Sequence, residues 1–204
     1  THRLSLAPAL AWLEAQNRDR PVTERLLPAV LFIRATALAL CKVPELNGFY
    51  AQDGFRPGGG VHIGWAIALR GGGLVAPAIH DADRLGLGEL MAKLRDVVQR
   101  ARGGGLRSSE LMDPTVTVTS LGERSAEEVL PIIYPPQVAV IGFGAVVERP
   151  WVVGGGVAPA PVLTVSLAAD HRVSDGHRGG ILLAEIERNL SQPEALWTRT
   201  TSRP

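Results

Sequence analysis

The hydrophobic pattern along the chain predicts a domain in which helices and strands are mixed. Residues 7–17 have the pattern of a short helix. A second helix is expected up to about residue 42, and it is apolar on most faces, so it should be buried. Two more helices follow from apolar residues spaced three and four apart. These residues are Leu90, Met91, Leu94, Val97, Val98 and Ala101 in one, and Leu183, Ile186 and Leu190 in the other, which spans about 176–190.

Several other segments have the alternation or β-branching of strands. Residues 61–69 alternate large and small side chains, three glycines at 71–73 turn the chain, and 74–79 can pair back as a hairpin. Residues 115–119 predict one strand, and 138–153 and 161–169 predict two longer strands joined by the glycines at 154–156. Strict alternation of strand and helix is absent. The predicted fold class is therefore α/β (α+β), a mixed sheet with packed helices.

Composition narrows the class of protein. With 204 residues, 46% of them hydrophobic, the chain is expected to form a single domain over 1–204. A net charge of +1 gives no reason to expect nucleic acid or a membrane as a partner. The lone Cys41 excludes an internal disulfide and favours a reducing compartment, cytoplasmic or the mitochondrial matrix. The glycine clusters lack phosphate-loop spacing, and the histidines lack metal-ligand spacing, so no metal is expected.

A single histidine stands where an apolar strand ends and an amphipathic helix begins. His171 is followed four residues later by Asp175 and then by Gly176. A base at the edge of an element is accessible to a ligand, although a histidine near a strand end is more often structural than catalytic. Asp175 is expected to orient or charge-balance His171, or to cap the final helix, and the two roles are compatible.

The strand at 115–119 carries the second candidate. Hydroxyls at Thr117, Thr119 and Ser120 are ordinary in a strand, and that is the better explanation of them taken alone. A hydroxyl near a strand end can also donate to a developing oxyanion.

Five segments of the chain resemble motifs of one protein family, and they occur along the chain in the same order as in that family. D-H-R-x-x-D-G matches residues 170–176, and T-[IV]-[ST]-x-L-G resembles 117–122. I-I-x-P-P-Q matches 132–137, V-P-x-L-N resembles 43–47, and the hairpin GLVVPVI resembles 73–79. The chain is thereby identified as similar to the catalytic domain of the dihydrolipoamide acyltransferases, the E2 cores of 2-oxo acid dehydrogenase complexes.

The resemblance implies a chloramphenicol-acetyltransferase-like fold and a homotrimer, with the histidine and the hydroxyl residue of each site on neighbouring chains. It implies acyl transfer between coenzyme A and dihydrolipoamide, the lipoyl group being carried on a separate domain or chain. His171 would deprotonate the coenzyme A thiol, Thr119 would donate to the oxyanion, and Asp175 would hold the geometry. The E1 and E3 components and a lipoyl domain would be partners. Residues that contact coenzyme A are not assigned.

The chain departs from the family pattern in several places. Met112, Asp113 and Pro114 replace the usual glycines. The charged loop 123–128 stands in place of a glycine-rich turn, which leaves access to the site and the acyl preference open. The usual N-terminal arm is absent or cut short before Thr1, and 198–204 is expected to be a flexible tail. Leu196 and Trp197 resemble the family's C-terminal anchor, which either folds back onto its own domain or docks on a neighbouring trimer. Whether trimers assemble into a larger cage is therefore left open by the sequence.

Two other functions remain open from the sequence. The first is a structural E2-like protein that assembles without turnover, and the second is a coenzyme A acyltransferase with a small free acceptor. The presence of His171, Asp175 and Thr119 favours the enzyme.

Overall fold

The computed structural model describes residues 1–122 and 126–198. The helices are α1 Ala7–Asn17, α2 Pro28–Leu40, α3 Leu87–Gly103, α4 Ser108–Met112, α5 Gly176–Ser191 and α6 Glu194–Thr198. The strands are β1 His2–Ser5, β2 Gly48–Ala51, β3 Gly54–Pro57, β4 Ile63–Trp65, β5 Ile67–Ala68, β6 Leu74–Val75, β7 Ala78–Ile79, β8 Val116–Ser120, β9 Ala139–Phe143, β10 Val147–Val153 and β11 Gly156–Ala169. Among the described helices, none is long and apolar enough to cross a membrane.

One seven-stranded sheet organises the domain. Its strands lie in the order β1-β11-β9-β8-β4-β7, and β10 pairs with β11 beside this row. Strand β8 runs parallel to both of its neighbours, β4 and β9, while the other pairs of the sheet are antiparallel. The predicted mixed sheet is confirmed.

The helices cover one face of this sheet. Phe32 of α2 stacks on Phe143 of β9, with ring centroids 4.5 Å apart and planes 5° from parallel. Val116 and Val118 of β8 are fully buried in the same core. Burial of such side chains is the main favourable contribution to folding. Helix α2 is buried along nearly its whole length, as its apolar composition predicts.

Two predicted strands are broken in the structure. The segment 138–153 forms β9 and β10 instead of one strand, because the backbone of residues 126–128 crosses at Gly144. A Cβ at Gly144 would lie 1.8 Å from the Glu127 carbonyl oxygen, and Ala145 N–H donates to the Ala126 oxygen at 3.0 Å. The segment 61–69 likewise divides into β4 and β5, since Ala66 N–H donates to the Val118 oxygen instead of continuing the hairpin.

The last strand begins earlier than its predicted start at residue 161. β11 starts at Gly156 because Gly154 and Gly155, with φ of +59° and +85°, form a tight turn that pairs its first residues with β10. Helix α1 has the predicted limits, and α5 extends one residue beyond them.

The C-terminal segment packs on its own domain. Leu196 is fully buried, and its carbonyl oxygen accepts a hydrogen bond of 3.4 Å from Nε of the buried Arg34. The Trp197 ring lies 6.1 Å from that of Trp12, and the Arg20 guanidinium lies 5.7 Å from its centroid. The segment with Leu196 and Trp197 therefore folds back onto its own domain, which is one of the two alternatives that the sequence left open. Residues 123–125 of the altered loop and 199–204 of the expected tail lie outside the described residues.

The connection from α3 through α4 into β8 is fixed by one ion-pair cluster. Arg100 donates to both oxygens of Glu110, at 2.5 and 2.6 Å, and also to Asp96 at 2.7 Å. The Arg107 N–H donates to the same Glu110 carboxylate at 2.8 Å. Hydrogen bonding from Arg100 lowers the pKa of Glu110 to about 2.

We expect Glu110→Gln to lower the free energy of unfolding at pH 7 by ~1–3 kcal/mol, because a nearly buried charge pair loses one partner. The folded-state pKa of Glu110 lies below its unfolded value of about 4.3, so the stabilisation is present above about pH 5. It should be lost as the pH falls towards 2, and urea unfolding between pH 2 and 7 measures this.

The matched control for Glu110→Gln is Asp96→Asn. Asp96 bonds the same arginine but is 63% exposed, so solvent screens the pair and its loss should cost clearly less than that of Glu110. Equal losses in the two variants, or no dependence of the Glu110→Gln effect on pH, would contradict the assignment.

Candidate active site

Strand β8 has one face in the core and one face in a cavity. Because side chains alternate along a strand, burial of Val116 and Val118 directs Thr117 and Thr119 to the opposite face. There they line a cavity of about 520 Å³. We call this the β8 cavity. Its other walls are mainly apolar: Ala66, Leu74, Val75, Ala76, Leu111, Pro114, Val129, Pro131, Ile132, Tyr134, Gln137 and Val140.

The two threonine hydroxyls in the β8 cavity differ in their bonding. Thr117 Oγ1 donates to Gln137 Oε1 at 2.7 Å, and Gln137 Nε2 donates to the Pro114 oxygen at 3.1 Å. The hydroxyl of Thr119 has no hydrogen bond with any described residue. Thr119 is therefore the strand hydroxyl available to a molecule in the cavity.

Gln137 is a site residue that the sequence reasoning did not assign. It is 9% exposed, and its amide joins the loop before β8 to the strand itself. Its place directly after two prolines in the 132–137 motif was the available signal, but the partners are 20 and 23 residues away.

The loop that carries His171 is fixed by the residue before it. Asp170 is 8% exposed, and its carboxylate accepts hydrogen bonds from Arg172 N at 3.0 Å and Nη2 at 2.6 Å. Its backbone oxygen accepts from Val173 N at 3.0 Å and from Ser174 N at 3.2 Å. Hydrogen bonding from Arg172 holds the pKa of Asp170 below its usual value. The turn after β11 therefore has a defined shape.

Two contacts from the segment 45–50 support this loop. The Arg172 guanidinium lies 3.9 Å from the centroid of the Tyr50 ring, a cation–π contact. Arg178 of α5 forms an ion pair with Glu45, and this hydrogen bond lowers the pKa of Glu45. Neither contact was predicted, since both join residues more than 100 positions apart.

Asp175 caps helix α5, so this interpretation is confirmed. Its Oδ1 accepts from Arg178 N at 2.9 Å, and that bond is the main reason why the pKa of Asp175 is lowered. His171 contributes only a weaker charge effect, and the described residues contain no hydrogen bond between the two side chains. His171 itself is exposed, without a hydrogen-bond partner in the described chain.

One chain does not bring His171 and Thr119 together. Thr119 pairs with Gly142 of β9, which pairs with Ser166 of β11, whereas His171 lies beyond the end of β11 at Ala169. Two strand spacings and three residues along β11 separate the Cα atoms of Ala169 and Thr119 by roughly 14 Å.

The mouth of the β8 cavity is surrounded by exposed apolar side chains. Ile132 is 90% exposed, Tyr134 75% and Leu111 48%. Contiguous exposed patches of this kind mark protein interfaces. Met112, where the family pattern was altered, is also exposed, and Asp113 bonds His80 at 2.9 Å.

No cluster of three potential metal ligands occurs among residues 1–122 and 126–198. The side chains that line the β8 cavity offer hydroxyl and amide groups in an apolar wall. Such a wall with few polar groups is typical of an organic ligand site.

Comparison with known proteins then identifies the family. Residues 1–198 match the catalytic domain of the 2-oxoacid dehydrogenase acyltransferases. The chain belongs to this acyltransferase family. A relative from Bacillus subtilis, the dihydrolipoyllysine-residue acetyltransferase component of its acetoin cleaving system, is 36% identical over 163 residues. That match covers 80% of this chain and 41% of the relative, so the chain spans about two fifths of its length.

Solved acyltransferase cores share the fold. The Azotobacter vinelandii dihydrolipoamide acetyltransferase, studied for the role of a serine, a histidine and an asparagine in its catalytic mechanism, has a TM-score of 0.87 at 26% identity. The comparison covers 96% of this chain and 81% of that one. The cubic core of a pyruvate dehydrogenase complex gives a TM-score of 0.86 at 26% identity, covering 96% and 81%. Chloramphenicol acetyltransferase gives 0.64 at 10% identity, covering 93% and 86%, which confirms the expected fold.

The bridge made by Gln137 predicts a measurable coupling in this acyltransferase domain. Gln137→Leu should lower the free energy of unfolding by ~1–3 kcal/mol, because Thr117 and Pro114 lose their partner. In a double-mutant cycle with Thr117→Val, the two losses should fall short of additivity by ~0.5–1.5 kcal/mol. Urea unfolding at one fixed protein concentration measures all four species.

Thr119→Val is the control for that cycle. It removes a hydroxyl from the same face of β8 two residues away, and its effect should add to that of Gln137→Leu within ~0.5 kcal/mol. Additivity with Thr117→Val would show that the bridge contributes nothing.

Proposed function

We propose that this domain transfers an acyl group between dihydrolipoamide and coenzyme A, as the catalytic core of a 2-oxo acid dehydrogenase complex. The observation that carries the proposal is the unpartnered hydroxyl of Thr119 in the β8 cavity, together with the exposed His171 on a rigid loop. In the Azotobacter enzyme the studied serine, histidine and asparagine are separated by 52 and 4 positions. Thr119, His171 and Asp175 have the same separations, which supports these roles.

His171 would act as the base for the attacking thiol. A thiol with a pKa near 8.5 is mostly protonated at neutral pH, so its proton must leave as the sulfur attacks the thioester carbonyl. In the direction of coenzyme A acylation, His171 takes the proton from coenzyme A as the new sulfur–carbon bond forms. The tetrahedral intermediate then expels the dihydrolipoamide sulfur, to which His171 returns the proton.

Thr119 would stabilise the intermediate between these steps. The carbonyl oxygen becomes an oxyanion, and a fixed hydroxyl donor in an apolar cavity stabilises it more than water does. Asp175 contributes indirectly, because as the cap of α5 it holds the beginning of the helix that follows the His171 loop.

We infer that the complete site forms between the subunits of a trimer, with His171 of one subunit beside the β8 cavity of the next. The separation of the two residues within one chain and the exposed apolar rim of the cavity support this arrangement. The E1 and E3 components and a lipoyl domain would be the partners of the assembly, and the lone Cys41 suits a cytoplasmic location. Because α6 folds back on its own core, we favour a plain trimer over a cage.

His171→Ala should lower acetyl transfer from acetyl-coenzyme A to free dihydrolipoamide by at least about a hundredfold, because no other base replaces it. Loss of turnover should leave the circular dichroism spectrum and the trimer mass unchanged. His177→Ala is the matched control, since it removes another exposed histidine six residues away. Near-normal turnover in His171→Ala would remove this residue from the mechanism.

Thr119→Val should lower kcat by at least about tenfold with little change in KM, because an oxyanion donor acts mainly in the transition state. Valine keeps the β-branched shape, so strand packing is preserved. Thr117→Val removes the neighbouring hydroxyl that already bonds Gln137, and its kcat should change less than about threefold. If KM alone rose in Thr119→Val, the hydroxyl would have a binding role instead.

Mixing these two impaired variants tests the shared site. When His171→Ala and Thr119→Val chains are refolded together, each mixed trimer contains one interface where an intact His171 meets an intact Thr119. Random mixing should therefore restore about a quarter of wild-type turnover, the fraction of interfaces with both residues intact. Zero recovery in trimers shown by mass spectrometry to be mixed would place both residues in one chain.

A further inference from the structure

A second cavity of about 540 Å³ lies apart from the β8 cavity, between α3, the start of α2 and the turn after β5. We call it the α3 groove. Trp65 lines this groove, whereas the next residue, Ala66, lines the β8 cavity, so the end of β4 separates the two. The proposed acyl transfer leaves the α3 groove unused.

The α3 groove combines an apolar wall with arginines. Leu27 and Val98 supply apolar surface above the buried Met91 and Leu94, and Leu27 is 48% exposed although it is large and hydrophobic. Arg70, Arg95 and Arg102 line the same groove, and its lining in the described chain includes no acidic residue. Its size lies within the range of ligand cavities, about 300–1,000 Å³.

The sequence of α3 explains why these charges remain uncompensated. At 3.6 residues per turn, Arg95 and Arg102 lie on the same side of the helix, two turns or about 10.5 Å apart, next to the apolar stripe. The acidic residues of α3, Glu89 and Asp96, lie about a third of a turn around the helix from Arg95, away from the apolar stripe. There they pair with Lys93 at 3.9 Å and Arg100 at 2.7 Å.

The positive charges of the groove arginines are not neutralised by acidic side chains of the described residues, so they are available to bind an anion. Arg70 and Arg102 are exposed and have no hydrogen bond or ion pair with any other described residue. Arg95 donates only to the backbone oxygen of Arg25, which does not neutralise it. A planar guanidinium binds a carboxylate or a phosphate in a bidentate manner, and it keeps its charge at any physiological pH.

We propose that the α3 groove binds an amphipathic anion, an apolar chain with a carboxylate or phosphate head group. The chain would lie on Leu27 and Val98, above the buried Met91 and Leu94, and the head group would bond Arg102 and Arg70. This site is separate from the transfer reaction, so the proposal does not depend on the proposed function.

Isothermal titration calorimetry of the intact trimer with decanoate, decyl phosphate and decanol tests the proposal. Both anions should bind, and uncharged decanol should bind at least about tenfold more weakly, because it lacks the charged head group. Which of the two anions binds more tightly identifies the preferred head group. Arg70→Gln with Arg102→Gln should weaken anion binding by at least about fivefold.

The matched control is Lys93→Gln with Arg188→Gln, which removes two positive charges from exposed positions outside the groove. This double variant should change affinity less than about twofold. Val98→Glu, which adds a carboxylate to the wall, provides a second variant and should abolish anion binding if its melting temperature stays near that of the wild type.

Several results would overturn the proposal. Equal weakening in the groove variant and the control would mean general attraction of anions to a basic surface. Equal binding of decanol would show that the negative charge is not required. No binding of either anion at millimolar concentration would show that the groove is not a binding site. Displacement of decanoate by coenzyme A or dihydrolipoamide would place the ligand in the transfer site instead.

Discussion

The alternation of side chains along β8 determines both the core and the candidate active site. Val116 and Val118 are fixed against the helices, so Thr117 and Thr119 must face the β8 cavity. A shift of one residue would bury the threonines and expose the valines, which the hydrophobic effect opposes strongly. Parallel neighbours on both sides of β8 fix its register, and the Gln137 amide fixes the chain that enters it. The position of the Thr119 hydroxyl is therefore a consequence of core packing.

The histidine loop depends on a different kind of constraint. His171 is exposed, and polar contacts of its neighbours define the shape of its loop. Asp170 is nearly buried and bonds the backbone and guanidinium of Arg172, while Asp175 holds the start of α5. The two parts of the proposed site, the β8 strand with Thr119 and the loop with His171, therefore each lie within a short motif of the sequence.

The elements set by local pattern could be predicted from the sequence, and those set by distant contacts could not. Helix α1 follows from a proline suited to the first helical turn and the 115–119 strand from β-branching, and the structure has both. The break between β9 and β10 could not be predicted, because it results from a backbone that crosses at Gly144 from 17 residues earlier. His171, Asp175 and Thr119 stand in recognisable motifs. The partners of Gln137 and the contact of Arg172 with Tyr50 depend on the tertiary fold, which a single sequence does not display.

The position of β11 in the sheet has a consequence for the order in which the protein is made. β1, at residues 2–5, pairs with residues 162–165, so this strand has no sheet partner until the chain as far as residue 165 has been synthesised. β9 also pairs with β11 along all five of its residues. Contacts of such large sequence separation form slowly, since a long loop must close before they stabilise anything. The nascent chain must therefore hold several apolar segments, including α2, without their final neighbours, and apolar surface exposed in this way favours aggregation.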